Sequence, residues 1–109
     1  MASAPLFFLF HRHLHATCRQ PLLFFMEYHY EEFVGLIQKS IVEHWDLNAL
    51  TDYKGVTLQY KDVARKIEKL HILFETAGIV PGDKIAICGR NSAHWAVAFL
   101  ATLTYGAIV

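Results

Sequence analysis

The chain has 109 residues, 54% of them hydrophobic and 18% charged, which bounds it to one domain at most and is too apolar for a disordered tail. Ten Lys and Arg balance ten Asp and Glu, so the composition holds neither a basic face for nucleic acid nor an acidic solvating tail. Cys18 and Cys88 stand far apart, with no metal-type spacing and no disulfide framework, so a reducing cytoplasm is the expected compartment.

Residues 1–25 differ in character from the rest of the chain. Apolar patches at Leu6–Phe10 and Leu22–Phe25 flank His11-Arg12-His13-Leu14-His15. A secretory signal would place its basic residues first, and Arg12, Arg19 and the histidines interrupt the run of about 20 apolar residues that a membrane span needs. Three readings fit. In the first, which we favour, the stretch lies outside the native protein and translation starts at Met26. In the second it is a peripheral membrane anchor whose aromatics enter the interface. In the third, His11, His13 and His15 share one face of a strand and hold a metal, although no fourth ligand or orienting carboxylate is near in sequence. The chain therefore divides into an atypical extension, 1–25, and a domain segment, 26–109.

From Glu27 to Trp45 the spacing predicts an amphipathic helix, with Phe33, Val34, Ile37, Ile41 and Trp45 as its apolar stripe. Asn48 to Tyr60 reads as a β-hairpin: Ala49-Leu50, then the turn residues Asp52-Tyr53-Lys54-Gly55, then the β-formers Val56-Thr57-Leu58-Gln59-Tyr60. Lys61 to Ala77 is a second helix with a stripe of Val63, Ile67, Leu70, Phe74 and Ala77, and Gly78 stands where a left-handed cap is needed. His71 falls on the flank of that stripe and is expected half-exposed.

Pro81-Gly82-Asp83 is a turn. Ile85-Ala86-Ile87-Cys88 then has the character of a strand covered on both faces, with Cys88 buried and inert. Asn91 or Ser92 caps a helix over Ala93–Tyr105, which is apolar nearly all round. Gly106 ends it, and Ala107-Ile108-Val109 opens a strand parallel to the first: a βαβ unit. The chain stops three residues into that strand, which reads as truncation. The expected consequence is a bare apolar patch around Ala93–Tyr105 and marginal stability.

Three stretches carry a resemblance. VTLQYKDV, 56–63, resembles the Thr-Tyr-x-Glu-Leu helix entry of the adenylate-forming enzymes, in particular the AMP-dependent acyl-CoA synthetases of the long-chain fatty-acid–CoA ligase type. GIVPGDKIAI, 78–87, is similar to their Gly-Val-x-x-Gly-Asp-x-Val-Ala turn and strand. Asn91-Ser92-Ala93-His94-Trp95 through Tyr105-Gly106-Ala107-Ile108-Val109 resembles their Asn-Ser-x-Glu-Trp helix and the Gly-Ala strand after it. Two positions depart from the pattern. Gln59 and Asp62 stand where the family's capping Thr and Glu would be, and a lost cap costs about 1 kcal/mol. His94 stands where the family often has Glu.

The resemblance implies an α/β fold: a partial N-terminal subdomain of the large domain of these enzymes, with a β-hairpin, amphipathic helices and one βαβ unit. It implies fatty acid, ATP, Mg2+ and coenzyme A as the full-length family's reactants and cofactors. The remainder of the ligase domain is the implied partner, and the family's phosphate loop, ribose Asp, Mg2+ Glu and mobile Lys all fall downstream of Val109. In this chain we assign no catalytic, cofactor-binding or metal residue. Gly89-Arg90-Asn91-Ser92 lacks the spacing of a P-loop or dinucleotide fingerprint and reads as strand exit and cap. Ser92 and His94 point apart on a helix, and Asp62 and Asp83 belong to different turns. The alternative reading is a small non-enzymatic module that pairs with a protein through the apolar helix and open strand edge, or touches a membrane through 1–25.

Overall fold

The structure is a computed structural model that describes residues 21–109, with side chains described from Glu32 onward. The metal, anchor and start-site readings of the first residues fall largely outside that range; Met26 itself lies within a helix. In order, the elements are α1 (Pro21–Glu43), β1 (Asn48–Thr51), β2 (Thr57–Gln59), α2 (Tyr60–Thr76) and α3 (Ala93–Tyr105). Among the described residues no helix is long and apolar enough to cross a membrane.

Helix α1 begins earlier than its apolar stripe suggests. Pro21 opens it, at the helical position where a missing N–H costs nothing. It ends at Glu43, and Trp45 packs on the core from the next turn, closed by Leu47 N–H to His44 O at 2.8 Å. Val34 and Ile41 are buried and Ile37 is partly so, whereas Phe33 is 46% exposed. Phe33 sits about 100° round the helix from Val34, which carries it off the contact line.

The hairpin forms as expected. β1 and β2 pair antiparallel, with Leu50 opposite Leu58 and Thr51 opposite Thr57. Asp52 N–H to Val56 O at 2.9 Å and Gly55 N–H to Asp52 O at 3.0 Å close the turn. The left-handed residue is Lys54, at φ 55, and not the neighbouring glycine. Gly55 answers to space: a Cβ there would stand 3.0 Å from Asp52 Cβ. Lys54→Gly should therefore raise stability by up to about 1 kcal/mol, read as a higher urea midpoint.

The second strand stops at Gln59, one residue short of expectation, because Tyr60 already belongs to α2. The exposed N–H groups at that helix start find unusual partners. Tyr60 N–H bonds Leu47 O and Lys61 N–H bonds Trp45 O, both at 3.0 Å. Asp62 Oδ2 accepts from Gln59 N–H at 3.1 Å, so Asp62 performs the return half of a capping box. Gln59 turns its own amide to Asp46 O at 3.0 Å. The loop after α1 thus makes good the poor cap. At the other end Ile79 N–H reaches Phe74 O and Gly78 N–H reaches Glu75 O, a Schellman closure with Gly78 at φ 77. Ala77, expected in the stripe, lies past the helix and is exposed.

One core joins these parts: Ile41, Leu58, Val63, Ala64, Ile67, Ala93, Val97 and Ala101. Helices α2 and α3 supply most of it, and the small side chains of Ala64 and Ala101 stand at 1% and 0% exposure where the two meet. Trp95, Phe99, Leu100 and Leu103 are half-buried, with Trp95 stacked on Phe99 at 5.5 Å between centroids. The expected bare patch around α3 is therefore displaced. The large apolar side chains that are exposed lie on α1 and α2 (Phe33, Leu36, Val42, Ile72, Leu73), in the connecting segments (Leu47, Tyr53, Val56, Val80) and at Ile108 and Val109.

The βαβ arrangement is present in reduced form. Gly82 N–H to Gly106 O, Ile108 N–H to Asp83 O and Ile85 N–H to Ile108 O bind the two segments around one parallel bridge, Lys84 with Ile108. Neither segment extends into a regular strand. The covered-on-both-faces expectation fails here: Ile85 and Ile87 are half-buried, while Ala86 and Cys88 alternate onto an exposed face. Cys88 is a free, exposed cysteine and not a buried one.

Candidate functional site

Polar residues meet across elements at the start of α3 and along its seam with α2. The loop 89–92 ends in Ser92, whose backbone is extended and whose Oγ accepts from Trp95 N–H at 3.2 Å. That is an N-cap, formed because a short hydroxyl reaches back to the third helical N–H. The first N–H of the helix has a second, distant partner. Ala93 N–H donates to Asp52 Oδ1 at 2.6 Å, across 41 residues from the hairpin turn.

That bond gives the start of α3 a partner from within the chain. A helix N-terminus attracts anions because its N–H groups are unpaired and its dipole is positive. Here a carboxylate of the chain itself takes that place. Arg90 and His94 are exposed beside it, and Ser92 Oγ accepts from Trp95 N–H. Nothing local in the sequence marks Asp52 as a cap; its type already suits the turn it occupies. Asp52→Ala should lower the unfolding free energy by about 1–2 kcal/mol, and Asp52→Asn by less, in thermal or urea melts.

The other carboxylates considered from sequence bond backbone as well. Asp62 holds Gln59 N–H, and Asp83 Oδ2 accepts from Val80 N–H at 2.9 Å within the Pro81-Gly82 turn. Gly82 there has φ 93, as the third position of a type II turn requires. Among the described residues no group of three or more His, Cys, Asp or Glu converges as metal ligands would.

His71 departs from expectation. It is 6% exposed and pins α2 to α3: Nε2 lies 3.0 Å from both Ala101 O and Thr104 Oγ1. Thr104 Oγ1 donates to Leu100 O at 2.8 Å, so its lone pair faces the ring and Nε2 carries the hydrogen. The ring also lies against Tyr105 at 5.3 Å. Burial pushes the Tyr105 phenol above its ordinary value of 10.0, and the charges of Glu75 and Asp83 push the same way. The phenol thus stays protonated and donates to Ile79 O at 2.7 Å, fastening the exit of α2 to the end of α3.

A groove of about 300 Å3 opens between α1, β1, α2 and α3. Leu36, Ile37, Ile41, Leu50, Val63 and Leu100 line it, with Ser40 and Tyr60.

Mixed helices, an antiparallel hairpin and a parallel crossover around α3 make this a partial α/β domain. Residues 37–109 match the AMP-binding enzyme family, and the chain belongs to it. Over 71 residues it is 31% identical to the hybrid PKS-NRPS synthetase pvhA of Talaromyces variabilis, an alignment covering 65% of this chain and 2% of that protein. The chain thus spans a small fraction of that relative's length. No solved structure matches it.

Proposed function

We propose that the chain is a scaffold segment of the large domain of an AMP-forming acyl-CoA synthetase of the fatty-acid-activating type. In such an enzyme a carboxylate attacks the α-phosphate of ATP and pyrophosphate leaves. The thiol of coenzyme A then takes the acyl group and AMP is released. On this reading residues 26–109 hold no catalytic, cofactor or metal residue. They supply a helix pair and the first parallel strand contacts, on which the remainder of the ligase domain, as partner, is laid. ATP, Mg2+ and coenzyme A meet residues outside the segment, and the enzyme works in the cytoplasm.

One observation supports this most. The three stretches that carry the acyl-CoA synthetase likeness occur in order, all within the family match at 37–109. They fall on the start of α2, the Pro81-Gly82 turn, and α3 with its left-handed exit at Gly106. The likeness to a hybrid PKS-NRPS synthetase favours a second reading, in which the adenylate serves a multifunctional synthetase and not free coenzyme A.

Pyrophosphate exchange tests both. With ATP, Mg2+, palmitate and radiolabelled pyrophosphate, the 109-residue chain should make no labelled ATP above a protein-free blank. Exchange above the blank would overturn the placing of the chemistry in other segments. The product of the full reading frame should exchange in the presence of fatty acids. Exchange that needs an amino acid instead would favour the multifunctional synthetase.

A further inference from the structure

We draw no further inference here: the strongest candidate, the apolar groove between α1, β1, α2 and α3 lined by Leu36, Ile37, Ile41, Leu50 and Leu100, carries nothing because nothing in the structure shows what covers it.

Discussion

Ile67→Ala should cost about 2–5 kcal/mol of stability, the range for emptying a buried isoleucine site. Ile67 is 2% exposed and is the largest apolar side chain among those almost wholly enclosed. It belongs to the cluster that joins Ile41 of α1, Leu58 of β2 and Val97 and Ala101 of α3. Removing three carbons there loses transfer free energy and leaves a void that the helices cannot close without breaking other contacts. A whole domain holds only about 5–15 kcal/mol, so the variant should lose a large part of its cooperative urea transition. Ile72→Ala is the matched control, because Ile72 is 53% exposed on the same helix, and its effect should stay within about 0.5 kcal/mol. Equal midpoints for the two variants would mean that α2 does not pack as described.

His71→Ala should cost about 2–4 kcal/mol, from the lost contacts of Nε2 with Ala101 O and Thr104 Oγ1 and the cavity left beside Tyr105. The ring is a pin and not a surface group, so its loss should loosen α3 from α2 before the hairpin is affected. Amide exchange would show this as faster exchange in Ala93–Tyr105 than in Asn48–Gln59. A double-mutant cycle with Thr104→Val isolates the contact between the two side chains, with a coupling of about 0.5–3 kcal/mol expected. Additive effects would mean that the 3.0 Å contact of Nε2 with Oγ1 contributes nothing.

The helices and their exits were legible because their causes are neighbours in the chain. Val63, Ile67, Leu70 and Phe74 repeat at helical spacing, and each lies in or against the core. Gly78 and Gly106 stand where a left-handed residue must end a helix, and both have positive φ. Ser92 caps α3 from one residue before it. The parallel sense of 82–85 against 106–108 arises from a helix between two short apolar runs. The misplaced boundaries have local explanations too. A proline can open a helix before its apolar stripe begins, and β-formers such as Tyr60 can stand in a first helical turn.

By itself the sequence determined which stretches coil, where they stop and which family they resemble, since those properties depend on side-chain period and on hydrogen bonds a few residues long. Only the tertiary structure decided that His71 is buried, that Asp52 caps α3, that the loop after α1 caps α2, and that Cys88 faces outward. The first three depend on a partner brought close by folding: Asp52 and Ala93 are 41 positions apart, and His71 and Thr104 are 33 apart. No periodicity encodes such a meeting. It results from which faces of α2 and α3 close on each other to remove apolar surface from water, and polar groups caught in that closure must take the partners they find there.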